Sequence, residues 1–225
     1  MGIVITGFSK KGGVGKSTLL FNVAAELGRQ GKKVVIVDID PQASIAEAVS
    51  YRNELIDAGA ELPYLSVNHN IDTFKPLVIE YRKIYDFVII DTQGADTLNT
   101  TKALSLSDIA FTPFQPSQVD VNTLPDIFES AENVAQMKSD AGGSLRLMAI
   151  MNRVSPHSLS REAGEMNRAL ADLFETSAFK MAKVRFTESK DFRESYATGK
   201  AVSELKPGSK AAAQIQLFIN ELVEV

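Results

Sequence analysis

Lys10-Lys11-Gly12-Gly13-Val14-Gly15-Lys16-Ser17-Thr18 follows directly on an apolar run, Ile3-Val4-Ile5-Thr6-Gly7-Phe8. Beyond it, Leu19, Leu20, Val23, Ala24 and Leu27 recur at spacings of three and four, so the segment predicts strand, Gly-rich turn and helix in immediate succession. Gly12, Gly13 and Gly15 put no Cβ into the turn, and successive backbone N–H groups can close around an anion. A helix opening at about Lys16 adds the positive end of its dipole to the same place. Lys16 can then reach the outer phosphates of a nucleotide, and the Ser17 hydroxyl can ligate magnesium. Gly12, Gly13, Val14, Gly15, Lys16, Ser17 and Thr18 are therefore the candidate nucleotide-binding residues.

The chain has 225 residues, of which 44% are hydrophobic, enough for one well-cored α/β domain, expected here over residues 1–225. It contains no cysteine, which excludes disulfides, cysteine-ligated iron–sulfur clusters and a thiolate nucleophile. His69 and His157 stand far apart with no cysteine near them and read as surface or loop histidines rather than zinc ligands. No stretch approaches the roughly 18 apolar residues of a membrane span, and the amino terminus lacks a signal-peptide core, so a cytoplasmic protein is expected. Met1-Gly2 with Thr6 fits the short myristoylation pattern, but Gly2 abuts a strand that must be buried, which argues against acylation.

Apolar runs bounded by turn signals recur at 3–8, 34–37, 87–90, 109–111, 145–151 and, less clearly, 179–184, with a short edge strand at 64–67. Helical patterns occupy 17–29, 44–58, 73–83, 97–106, 121–137, 160–173 and 211–225. The strand runs are continuous rather than alternating, as strands covered on both faces require. The alternation of the two types predicts an α/β fold, a doubly wound and mainly parallel sheet flanked by helices, with ligands at the carboxyl ends of the strands.

Two further acidic elements fall at such ends. The second strand runs into Asp38-Ile39-Asp40-Pro41-Gln42, where extended-chain alternation puts both carboxylates on one side and Pro41 stops the strand. One carboxylate can order a magnesium hydration shell and the other can orient an attacking water, although D-x-D-P by itself is an ordinary strand-end turn. Phe87-Val88-Ile89-Ile90-Asp91 is an apolar strand ending in an acid, the pattern of an aspartate that holds magnesium through water.

The common phosphate loop reads G-x-x-x-x-G-K-[ST], and Lys10 occupies its first glycine position. What the loop has instead is a second lysine, Lys11, opening K-G-G-x-G-K-[ST]. This resembles the deviant Walker A loop of the ParA/MinD ATPase family, and D-x-D-P-Q at 38–42 is similar to an element of its ParA-type partition members. The resemblance implies ATP and Mg2+ as ligands and ATP hydrolysis, with Lys11, Lys16 and Asp40 catalytic and Ser17, Asp38 and Asp91 on the metal. It implies a sandwich dimer in which Lys11, poorly placed to fold back on its own phosphates, crosses to the ATP of a second subunit. In the family an asparagine closing the strand at 145–151 contacts adenine, which makes Asn152 the base candidate; a plain strand-end turn is the other reading. The segment 112–120 is similar to the family's proline-bearing loop before a helix at the dimer face. Where the family continues D-x-P-P or D-x-P-G, this chain reads Asp91-Thr92-Gln93-Gly94, a departure at Gln93.

Net charge is −4, yet residues 178–210 carry eight basic and four acidic residues. A patch this modest binds DNA weakly from one chain, but two copies in a dimer add their phosphate contacts; a solvated face with no partner is the alternative. The resemblance implies nonspecific, nucleoid-associated DNA binding by the ATP dimer, with Lys190, Arg193 and Lys210 as candidate contacts, and a ParB-like or centromere-binding adaptor that stimulates hydrolysis. The first strand starts at residue 3, so a small type without an amino-terminal DNA-binding domain is expected. A MinD-like or other cargo-positioning ATPase and a conjugation accessory are the neighbouring alternatives. The acidic carboxyl-terminal segment argues against a membrane-bound MinD-like protein, and a metabolic P-loop enzyme would not need Lys11.

Overall fold

The computed structural model describes residues 1–95, 97–155 and 161–223, and for residues 161–167 the backbone alone. From the amino terminus, β1 (Ile3–Gly7) passes through the phosphate loop into α1 (Lys16–Arg29), and β2 (Val34–Asp38) leads to α2 (Ser44–Asp57). Next come β3 (Ser66–His69), α3 (Phe74–Tyr81), β4 (Phe87–Asp91), α4 (Leu98–Leu106) and β5 (Ile109–Phe114). A short α5 (Gln118–Val121), α6 (Leu124–Asp140), β6 (Arg146–Met151) and α7 (Arg161–Thr176) follow. The chain ends through β7 (Lys180–Met181), α8 (Lys190–Thr198), α9 (Val202–Leu205) and α10 (Lys210–Val223).

The seven strands form one sheet in the order β3-β2-β4-β1-β5-β6-β7, and every pairing is parallel. Successive residues of a strand serve opposite faces. Ile5, Ile36, Ile89, Phe111 and Ile150 thus face a layer built on α1 and α10, while Val4, Val35 and Val88 meet α3 and α4, and Ala110 and Ala149 meet α6. Both faces are covered, which is why the strand sequences lack polar alternation.

Several expectations shift in detail. The helix expected over 121–137 is α6, displaced to Leu124–Asp140, with Pro125 in its first turn, where its missing N–H costs nothing, and a separate short α5, capped by Ser117 through the Asp120 N–H at 3.2 Å, ends at Val121. The strand expected over 179–184 reduces to Lys180–Met181, and the edge strand expected at 64–67 lies at Ser66–His69. The helices α8 and α9 lie in a segment read from sequence for its charge alone. His157, the start of the helix expected at residue 160 and the end of the last helix at 224–225 lie outside the described residues.

Phe218 of α10 is fully buried and meets Phe111 at 5.1 Å and Phe186 at 5.6 Å, both edge to face. Phe218→Ala leaves a cavity under the central strands and should lower the unfolding free energy by about 3–5 kcal/mol. Urea unfolding checks this; an unchanged midpoint would mean that α10 is not packed on the sheet.

Candidate functional site

The carboxyl ends of β1, β2 and β4 converge beneath the phosphate loop. Gly7, Asp38 and Asp91 are register partners there: Gly7 pairs with Asp91 and Asp91 with Asp38. The loop itself depends on a close approach at Gly15, whose φ is +96°; a Cβ on it would stand 2.2 Å from the Asn152 side-chain nitrogen. Gly94, in the loop after β4, makes a second close approach, since its Cβ would stand 2.7 Å from the Lys11 carbonyl oxygen and 2.8 Å from the Gly12 nitrogen. The departure at Gln93 therefore leaves the packing of this segment on the phosphate loop intact, with Thr92 Oγ1 donating to the Gly7 carbonyl at 3.0 Å.

Lys16 is 5% exposed and its Nζ donates to Asp91 Oδ1 at 2.5 Å. The other Asp91 oxygen, Oδ2, is buried without a hydrogen-bond partner. Burial raises the Asp91 carboxyl above its ordinary value, while Lys16 and the Ser17 hydroxyl oppose that. An orphaned carboxylate oxygen beside a serine hydroxyl suits a hydrated divalent cation. Among the described residues no group of three or more His, Cys, Asp or Glu could cage a metal, so the fit is to a magnesium held by few protein oxygens and completed by water and phosphate.

The two carboxylates expected to act as a pair differ in environment. Asp38 is fully buried, with Oδ1 accepting from Asp40 N at 3.0 Å and Oδ2 from Ala46 N at 3.2 Å, so it also holds the turn into α2. Asp40 is half-buried, accepts from Gln42 N at 2.9 Å, and borders the cavity of about 290 Å³ over the phosphate loop together with Lys11, Lys16 and Ser17.

Lys11 does not point at its own phosphate cradle. Its Nζ donates to Asp120 Oδ1 at 2.7 Å, and the side chain is 37% exposed. Asp120 was read from sequence only as part of the proline-bearing loop, and its pairing with Lys11 spans the whole of β4 and β5. Asn152 Nδ2 donates to the Val14 carbonyl at 2.7 Å, and its Oδ1 accepts from Arg153 N at 2.9 Å. The carboxamide thus fastens the phosphate loop to the end of β6, with one N–H and one lone pair left over at a second cavity of about 360 Å³. Phe192, Arg153, Arg193 and Tyr196 line that cavity too. Of these only Arg193 was singled out from sequence, and as a DNA contact; α8 has too few apolar positions for its periodicity to show.

The basic segment is partly neutralised. Lys206 pairs with Asp191 at 2.5 Å and Arg193 with Glu188 at 3.7 Å, whereas Lys190 and Lys210 are exposed and make no ion pair among the described residues. No helix among the described residues is long and apolar enough to cross a membrane. The apolar stripe of α10, with Ile215, Phe218, Ile219 and Leu222, is buried in the core.

Burial first, and the Asp91 charge second, push the Asp38 carboxyl up to about 6. A folded-state value above the unfolded one means that the group favours folding at acid pH and that this contribution is lost as pH rises through the folded value. Asp38→Asn removes the titration, so its stability relative to the wild type should rise between about pH 4 and about pH 7, by on the order of 1–3 kcal/mol. Urea unfolding in EDTA across that range checks the sign; a difference independent of pH would show that Asp38 does not titrate there.

The maintenance of carboxysome distribution protein A of Halothiobacillus neapolitanus is 26% identical to this chain over 215 residues, which is 95% of this chain and 93% of that protein. The sporulation initiation inhibitor protein Soj of Bacillus subtilis is 28% identical over 149 residues, covering 51% of this chain and 59% of Soj. Among solved structures, apo McdA of Cyanothece matches with a TM-score of 0.72 at 18% identity over 100% of both chains. The septum site-determining protein MinD of Pyrococcus horikoshii, complexed with Mg-ADP, matches with a TM-score of 0.71 at 18% identity over 100% of this chain and 97% of its own. The family model described as the CobQ/CobB/MinD/ParA nucleotide binding domain covers residues 3–202. With its phosphate loop, its paired strand-end carboxylates and its all-parallel sheet, the chain belongs to that family.

Proposed function

We propose that this chain, as one unit over residues 1–225, is an ATP-dependent dimerising ATPase of the ParA kind that positions a cargo on DNA. The observation that carries the reading is the second lysine: Lys11 stands at the phosphate loop yet turns away from it, half-exposed, onto Asp120. The cradle needs no second cation for its own nucleotide, because Lys16 already lies inside it. Lys11, whose side chain is 37% exposed, can exchange its pair with the largely buried Asp120 for the triphosphate of a second copy, where charge on the transferring group must be stabilised.

In this reading the backbone of residues 12–17 and the Lys16 ammonium hold the phosphates. Ser17 and Asp91 hold Mg2+, with Asp38 as outer support, and the ion neutralises charge at the phosphate oxygens. Asp40, at the edge of the phosphate cavity, orients the attacking water. Asn152 keeps the phosphate loop in register and offers its remaining donor and acceptor to the base. Hydrolysis removes the interaction that bridges the two chains, so the dimer is a timed state.

Cargo positioning follows the relative that spans most of the chain, whose name refers to carboxysome distribution. Lys190 and Lys210, exposed and without an ion pair among the described residues, support DNA as the track, with Arg193 a weaker contact because Glu188 accompanies it. A ParB-like adaptor is the proposed stimulating partner. The burial of the α10 apolar stripe favours this over membrane attachment through the carboxyl-terminal helix.

Sedimentation with ATP tests the switch. The wild type should double its mass, and Lys11→Ala should remain a monomer while still binding ATP; an ATP-dependent dimer of Lys11→Ala would overturn the assignment. For the track, Lys190→Glu combined with Lys210→Glu removes four phosphate contacts per dimer and should lower the salt slope of DNA binding by about 3–4. An unchanged slope would place the DNA face elsewhere.

A further inference from the structure

Two cavities meet at the phosphate loop, one over the loop and one toward α8. Apart from Gly15 and Thr18 of the loop region, the described residues that border both are Arg153 and Tyr196. Tyr196 is anchored on two sides. Its ring stands edge to face on Phe21 of α1 at 5.8 Å, and the neighbouring Ser195 Oγ donates to Asn22 Oδ1 of α1 at 3.1 Å. The same Asn22 oxygen accepts from Val202 N at 2.8 Å, so α8 and the start of α9 are fixed to the helix that follows the phosphate loop.

The Tyr196 hydroxyl is nevertheless unsatisfied. Its oxygen is shut off from solvent and has no hydrogen-bond partner, although it lies beside the Ser17 hydroxyl. Buried hydroxyls are paired as a rule, and an exception marks a missing partner. A phenol keeps its proton at neutral pH and so offers a donor. Asp91 Oδ2, the other orphan near Ser17, offers an acceptor. A donor and an acceptor left open around one serine hydroxyl match a hydrated cation bound to phosphate oxygens.

We propose that Tyr196 is a nucleotide-sensing residue: its hydroxyl donates to an oxygen of the magnesium–polyphosphate group beside Ser17 and so fastens α8 to the bound nucleotide. The inference rests on the nucleotide reading above. It assigns α8 a task that its charge alone does not suggest, because the helix that carries Lys190 and Arg193 outward then carries Tyr196 inward to the ligand. Occupancy of the phosphate cradle would be felt directly at that basic surface.

Tyr196→Phe removes one oxygen and keeps the ring on Phe21. The ligand-free variant should unfold at the wild-type temperature or above, because an orphaned donor has gone. It should bind a non-hydrolysable ATP analogue with magnesium about tenfold more weakly. In the wild type the analogue should slow amide exchange across Lys190–Thr198, and in the variant it should not. Wild-type affinity together with wild-type protection of α8 in the variant would overturn the proposal, as would a loss of ligand-free stability, which would mean that the hydroxyl has a structural partner. A wild-type protein that fails to bind the analogue at all would instead sink the nucleotide reading itself, and that result needs no variant.

Discussion

The contact between Lys16 and Asp91 sets the terms for the rest of the molecule. A buried ammonium and a buried carboxylate meet at 2.5 Å at the carboxyl ends of the central strands, and a second fully buried carboxylate, Asp38, is the register partner of the first. Charges out of water must be paired or they shift their protonation, and here the pairing is incomplete. Lys16 satisfies one oxygen of Asp91, the other has nothing, and Asp38 is pushed up to about 6 by burial and by its neighbour. Such a site is balanced only when a cation joins the carboxylates and an anion takes the lysine. A magnesium nucleotide supplies both at once, which is the physical sense of placing two acids next to a phosphate cradle.

A site with that much unspent polarity needs a rigid frame, and the frame is centred on α1. On its buried side, Asn22 accepts from Ser195 and Val202, while Glu26 Oε2 accepts from Ser203 Oγ at 2.7 Å. A second tie crosses from α2, where the fully buried Arg52 makes two hydrogen bonds to Glu204 at 2.7 and 2.8 Å and a third to the Pro63 carbonyl. The helix that begins at the phosphate loop and the helix that begins just after Asp40 are thereby joined to the same α8–α9 corner. Removing one partner of a buried network leaves the other unsatisfied, so these hydrogen bonds hold both helices to that corner.

Much of this was legible in the sequence, and for identifiable reasons. The strand runs were readable because both faces of the sheet are covered, leaving uninterrupted apolar stretches that end in Gly7, Asp38 and Asp91. The phosphate loop was readable because its glycines and lysines act through the backbone at fixed offsets. What escaped was chemistry made by distant pairs. Lys11 and Asp120 are 109 positions apart, and no local pattern announces their meeting. Asn152 was read for a base contact, yet half of its amide's hydrogen-bonding capacity is occupied in holding Val14 and Arg153, a use invisible without the fold. The helix α8 was hidden because only Phe192 and Ser195 are buried in its nine residues, too few to mark an amphipathic period.

Two lysines five positions apart in one loop meet different physical conditions. Lys16 sits 6% exposed against a carboxylate with no exposure, and separating a buried pair without a replacement anion is strongly unfavourable. It is a fixed part of the cradle. Lys11 is 37% exposed and its partner Asp120 11%, so the lysine end of this pair is within reach of water while the carboxylate end is buried. The other Asp120 oxygen, Oδ2, accepts from the Gln115 N–H at 2.9 Å, so the carboxylate keeps one hydrogen bond when the lysine leaves. In the proposed dimer the second lysine is the member of the loop able to change partners, and the triphosphate of a facing copy is the anion that would compensate it for leaving Asp120.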